Sequence, residues 1–277
     1  MTCSEDEISR FVDVANKAAD VAGQIVRKYY ERAIDQLPDV KRKEKGDGSI
    51  TKAAKREAEE AMVAFITESL PTHVVFTEET GFNHSSNQSP FVWVLDAING
   101  VREDFRTGFN LFSFGTMIAL LYNGKPMLGC IDQPIRKLRW VGVKGKPTTL
   151  NQEQVVAVAC DDLSMAYANL KQPNMSDDAR VAFNRLCYKV YVVLLDTTST
   201  TYGALACGQL HLVADCDVLP WNVLAAVPIV EGAGGVITDW EGRELLWDAS
   251  QIKRGTIRVV AASDKKTHQE VIDSLSY

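Results

Sequence analysis

Acids, amides and a lysine stand where the apolar runs of this chain stop, and they set the chemistry open to it. The apolar run at 91–95 ends on Asp96, with Asn99, Gly100 and Val101 close behind. A shorter run at 74–76 leads to Glu78 and Glu79. Arg102, Glu103 and Asp104 follow the first of these places, and Asp196 heads the hydroxyl-rich stretch Asp196-Thr197-Thr198-Ser199-Thr200-Thr201-Tyr202. Trp221 and Asn222 precede the apolar positions 223–230. Carboxylates at strand ends can gather Mg²⁺, a hard cation that takes oxygen ligands. Without a metal, a buried acid must be paired or protonated. Once protonated, it can act as a general acid.

Periodicity supplies the elements that must position these groups. Apolar residues recur at helical spacing from Ile8 to about Ala33, and positions 51–70 form a second amphipathic helix that Pro71 ends. Strands are expected at 74–76, 91–95, 112–122 and 126–133, with Asn123-Gly124 as a hairpin turn between the last two. Further strands are expected at 138–143, 155–159, 191–195, 211–215, 236–239 and 256–262. Helices are expected near 177–188, 202–207, 222–231 and 265–275. This order is that of a layered α/β (α+β) protein. It reads as one domain over 1–277, with approximate halves 1–150 and 151–277.

The bulk numbers exclude several classes. Of the 277 residues 46% are hydrophobic, enough to bury a large core, and the net charge is −6. There is no basic stripe for nucleic acid, since Lys41-Arg42-Lys43-Glu44-Lys45 is short and interrupted. No apolar run reaches the ~18–20 residues that span a bilayer. Six scattered cysteines read as buried thiols, and the four histidines have no zinc-ligand spacing with them. The acidic start lacks the marks of a signal or transit peptide, which points to the cytoplasm. Plastid is the alternative if a transit peptide has been removed.

Three separated motifs resemble the inositol monophosphatase superfamily. Trp93-Val94-Leu95-Asp96-Ala97-Ile98-Asn99-Gly100-Val101 is similar to its W-V-x-D-P-I-D-G-T signature, and Thr77-Glu78-Glu79-Thr80 stands at its G-E-E. Pro220-Trp221-Asn222-Val223-Leu224-Ala225-Ala226, with Gly232-Ala233-Gly234-Gly235, resembles its W-D-x-A-A…E-x-A-G-G. The stretches Ile131-Asp132-Gln133-Pro134 and Arg139-Trp140-Val141-Gly142 look most like the plant and bacterial histidinol-phosphatase branch. The resemblance implies a layered α-β-α-β-α sandwich, a homodimer, and Mg²⁺-dependent dephosphorylation of a small monoester. In that family the equivalents of Glu78, Asp96, Asn99 and Asn222 hold metal and the threonine at Val101 helps position the attacking water. The metals neutralise the phosphate and activate that water.

Several of these positions depart from the family pattern. Asn99 and Asn222 replace aspartates, Val101 replaces the threonine, and Ala54 or Lys55 stands where a further carboxylate opens the second helix. Of the ligand set only Glu78, Asp96 and the Ile98 carbonyl remain. The expected cofactor is therefore none, or Mg²⁺ held weakly by those three. The leading expectation is a divergent family member that binds a small cationic or formerly phosphorylated molecule, with Glu78 and Asp96 as catalytic acid and base. Asn99, Gly100, Val101, Arg102, Asp104, Asp196, Tyr202, Trp221, Asn222 and Lys55 would line the ligand site. Two alternatives stand beside it: a weak Mg²⁺-dependent phosphomonoesterase, and a non-catalytic binding or dimerisation partner. Plainer roles compete with the chemical ones. Asn222 reads as a helix N-cap, Asn99 as a cap or a ligand, Lys55 as an exposed helix lysine or an internal counter-ion. Tyr202 and Trp221 suit core packing equally well, and Gly232–Gly235 suits a helix stop.

Overall fold

The computed structural model describes residues 3–35, 49–82, 89–100, 114–170, 177–195, 199–247 and 255–276. Helix α1 (Glu5–Asp35) opens on a capping box, in which Ser4 and Glu7 exchange backbone-to-side-chain hydrogen bonds of 2.8 and 3.2 Å. Its face of Phe11, Ala15, Ala18, Ala22 and Val26 is small and apolar, so the helix lies close against its neighbours. Helix α2 (Ser49–Ser69) packs beside α1, and both cover one face of an eight-stranded sheet.

That sheet runs β2 (Gly81–Phe82), β1 (Val74–Thr77), β3 (Phe91–Asn99), β4 (Gly115–Tyr122), β5 (Lys125–Gln133), β6 (Leu138–Val143), β7 (Thr149–Leu150) and β8 (Glu153–Gln154). Within it β1 and β3 pair in parallel, with Thr77 opposite Leu95, so both chains leave the sheet at the same end. Asn123 and Gly124 both have positive φ (49° and 76°), the geometry that suits a tight turn between twisted strands.

A second, five-stranded sheet runs β10 (Val192–Leu194), β9 (Tyr167–Leu170), β11 (Leu212–Val218), β13 (Ile257–Ala262) and β12 (Val236–Asp239). Helices α4 (Ser199–Ala206) and α5 (Ala226–Gly232) lie between the sheets, and α3 (Asp177–Cys187) and α6 (Lys265–Leu275) cover the outer face of the second. The result is the expected α-β-α-β-α sandwich, with one apolar core under α1 and α2, one around the middle helices between the sheets, and one under α3 and α6.

Two expectations fail locally. Residues 155–159 are not a strand. Val155 N–H donates to Thr148 and Ala157 N–H to Ala233, so the segment bridges between elements instead of pairing along one. The helix expected over 222–231 begins later. A 3-10 turn, Pro220–Asn222, comes first, and α5 starts at Ala226.

Glycine at two positions lets α5 sit directly on the first sheet. A Cβ at Gly129 would lie 1.9 Å from the Ala225 carbonyl oxygen, and one at Gly142 would lie 2.5 Å from the Ile229 backbone. Because backbone meets backbone here, neither clash can be relieved by a rotamer change. This contact fixes the height of the Pro220–Asn222 turn above the sheet. Gly129→Ala is therefore expected to destabilise the fold by more than about 3 kcal/mol, read by chemical denaturation. A loss below about 1 kcal/mol would show that the contact is loose.

Candidate functional site

The parallel pair brings Glu78, just beyond β1, beside Asp96 near the end of β3. Between Asp96 and Asn99 the register of β3 against β4 shifts, a bulge-like irregularity that turns the strand end toward the site. Asp96 is 1% exposed, so its charge requires partners. It has four. Lys55 Nζ lies 3.2 Å from Oδ1, and the Ile98 N–H donates to the same oxygen at 3.2 Å. The amides of Asn99 and Asn222 donate to Oδ2 at 2.9 and 2.7 Å.

Lys55 takes the place of the internal counter-ion, one of its two sequence readings. Its side chain is only 14% exposed, pairs with Glu78 and Asp96, and lies 3.8 Å from Glu79. The reading of an exposed helix lysine is therefore corrected. Thr51, Ala58, Glu59 and Met62 share the inward face of α2 with it, while Lys52 and Arg56 point to solvent. The structure also decides which residue stands at the open helix position. Ala54 is buried in the core, and Lys55 faces the acids. Burial alone would lower the lysine pKa, but the Asp96 and Glu78 carboxylates outweigh it and hold the ammonium charged. Burial and the Asp96 charge push Glu78 up, and Lys55 opposes them.

The second expectation to be corrected is Asn222. It ends the 3-10 turn rather than capping a helix, and its side chain reaches across to Asp96. Asn99 likewise spends its amide on Asp96. Trp221 packs 5.5 Å from the Phe76 ring, with its indole N–H buried and without a hydrogen-bond partner among the described residues. Tyr202 is 2% exposed and sits in the core between the sheets, with its hydroxyl near Asp215. Gly100 closes the described stretch with φ 93°. Val101, Arg102, Asp104 and Asp196 lie outside the described residues. Gly232 to Gly235 serves as a helix stop, for Gly234 has φ 93° and Gly235 packs against the Ala262 carbonyl.

The sequence reading missed Glu59. It is fully buried, accepts the Glu79 N–H at 3.1 Å, and so fixes the loop that carries Glu78. Its signal was an acid four residues after Lys55 on the apolar face of α2. Burial raises its pKa to about 7, against the opposing pull of the Thr77 hydroxyl, the Glu79 N–H and the Lys55 charge.

Mg²⁺ needs near-octahedral oxygen ligation. Two carboxylates and the Ile98 carbonyl could contribute to it. However, an ammonium lies between those carboxylates, and two amide N–H groups cover the outer oxygen of Asp96. Among the described residues, this donor set does not fit a multi-metal centre.

A five-layered sandwich with acids at the shared end of a parallel strand pair defines an inositol-monophosphatase-like α/β protein. The chain belongs to the inositol monophosphatase family, whose profile matches residues 7–276. It is 42% identical over 276 residues to the bifunctional phosphatase IMPL2, chloroplastic, of Arabidopsis thaliana, covering 99% of this chain and 77% of that protein. An inositol monophosphatase from Zymomonas mobilis superposes with a TM-score of 0.81 at 32% identity, covering 99% of both chains. The Nus factor SuhB of Escherichia coli K12 is 24% identical over 270 residues, 95% of this chain and 98% of that one.

The buried acid on α2 has a pH signature. Glu59 has a folded pKa above its unfolded value, so the folded state binds the extra proton and stability falls as pH rises from about 4.5 to 7. Glu59→Gln removes that slope. The variant is expected to gain on the order of 2–3 kcal/mol relative to the parent between pH 4.5 and 8, in denaturation curves at both pH values. Parallel stability profiles would contradict this account.

Proposed function

We propose that the cleft above Glu78 and Asp96 takes a small, cationic, amine-bearing ligand without a phosphate, and that efficient Mg²⁺-dependent hydrolysis has been lost from it. The observation that carries this reading is the saturation of Asp96 by donors from the protein itself. Among the described residues Glu78, Glu79 and Asp96 face a single ammonium, an excess of negative charge. Such a field attracts a cation and repels a phosphate dianion that arrives without metal. Glu78, whose pKa is raised by burial and the Asp96 charge, is the acid–base group of this reading, and Asp96 holds Lys55 in place.

A second reading is Mg²⁺-dependent phosphomonoester hydrolysis, and the 42% identity to IMPL2 favours it. In that reading Mg²⁺ supplies Lewis-acid chemistry when bound, with Glu78, Asp96 and the Ile98 carbonyl as its protein ligands. Phosphate release from histidinol phosphate and other small monoesters, titrated with Mg²⁺, separates the two. The main reading predicts no saturable metal-dependent release, and it predicts that Glu78→Gln weakens histidinol binding at least about tenfold in calorimetry. Metal-dependent release that Asn99→Asp with Asn222→Asp raises strongly would establish the second reading instead.

Residues of neighbouring segments leave apolar side chains in solvent: Met165, Tyr167, Tyr191 and Leu194, the last on the edge strand β10. The rings of Tyr167 and Tyr191 are 5.7 Å apart, so the patch is continuous there. This face supports a homodimer. Leu194→Asp is expected to shift sedimentation from dimer to monomer, and an unchanged profile would place the interface elsewhere. No helix among the described residues is long and apolar enough to cross a membrane. The chloroplastic relative supports a plastid as the compartment of this chain.

A further inference from the structure

We propose that Lys55 is the resident cation of this site, and that its ammonium is what excludes divalent ions from the Glu78–Asp96 pair. The proposal deepens the reading above and shares its cleft, but its test reads metal binding instead of turnover.

Lys55 Nζ pairs with Glu78, stands 3.2 Å from Asp96 and lies 3.8 Å from Glu79, so one ammonium serves three carboxylates. The lysine is held to this task by its helix. It lies on the inward face of α2, with buried Thr51 one turn before it and buried Glu59 one turn after it. A swing of the side chain into solvent would leave the fully buried end of Asp96 without its counter-charge. A divalent ion on Glu78 and Asp96 would in turn sit within a few ångströms of the ammonium, where like charges repel strongly at the low dielectric of a buried site.

The two asparagines fit the same account. An amide can present either its N–H groups or its carbonyl oxygen. Both Asn99 and Asn222 turn N–H toward Asp96, the arrangement suited to a carboxylate that carries no metal on that oxygen. With Lys55 gone, the acids lose their internal cation and the same amides can offer carbonyl oxygens. A site built from Glu78, Asp96 and the Ile98 carbonyl then becomes open to a hard cation.

The experiment is a Mn²⁺ titration of the full chain followed by electron paramagnetic resonance, with melting curves at millimolar Mg²⁺ alongside. The wild type is expected to show no saturable Mn²⁺ binding and no change in melting temperature. Lys55→Ala is expected to bind Mn²⁺ at least about tenfold more tightly than the wild type, with a melting temperature that rises with Mg²⁺. Lys55→Asp is expected to bind more tightly again. Lys55→Gln, which keeps the length of the side chain, replaces the alanine variant if that one does not fold. Saturable binding by the wild type, unchanged in Lys55→Gln, overturns the proposal whatever the phosphate assay gives. Phosphate release by a wild type that binds no metal would defeat the preceding reading and support Lys55 as the resident cation.

Discussion

The burial of Asp96 is the constraint on which the rest of this site depends. A carboxylate 1% exposed at the end of a central strand is tolerated only with a counter-charge and a full set of donors. The chain supplies them from three elements. Lys55 comes from α2, Asn99 and the Ile98 N–H come from β3 itself, and Asn222 comes from the turn before α5. Removing one partner from such a cluster typically costs about 3–5 kcal/mol, because the remaining charge stays buried. The same interaction therefore ties the helical layer, the first sheet and the middle layer together at one point.

Each of those elements is held by simple packing. The parallel β1–β3 pair sets Glu78 beside Asp96, and the fully buried Glu59 anchors the Glu78 loop through the Glu79 N–H. Gly129 and Gly142 let the α5 backbone rest on the sheet, and that contact brings Asn222 within reach of Asp96. Fold and site are thus not separable. The family scaffold keeps its shape here, and the Lys55 ammonium lies against the acids at its strand ends.

Much of the fold was legible because its periodicities are strong. The face of α1, the buried run of β3 and the Asn123-Gly124 turn each carry a local signal that tertiary structure did not override. The strand expected at 155–159 failed because three valines within four residues look the same whether they pair in a sheet or cross between layers. The late start of α5 failed for a related reason: Pro220 begins a 3-10 turn whose period the sequence does not reveal. Glu78 and Asp96 were legible as acids at strand ends. The sequence left Lys55 open between an internal counter-ion and an exposed residue, since a lysine on an amphipathic helix normally lies in solvent. Only the tertiary position of Thr51, Ala58 and Glu59 shows that its face points inward. Asn222 was misread for the opposite reason, because asparagine before an apolar run is the ordinary mark of a helix cap.

The most direct test of the central claim is a crystal structure grown in excess Mn²⁺, with anomalous data collected at the manganese edge. The account predicts no anomalous peak at Glu78 and Asp96, and a Lys55 ammonium within hydrogen-bonding distance of both carboxylates. A manganese peak ligated by Glu78, Asp96 and the Ile98 carbonyl, with Lys55 displaced toward solvent, would contradict it.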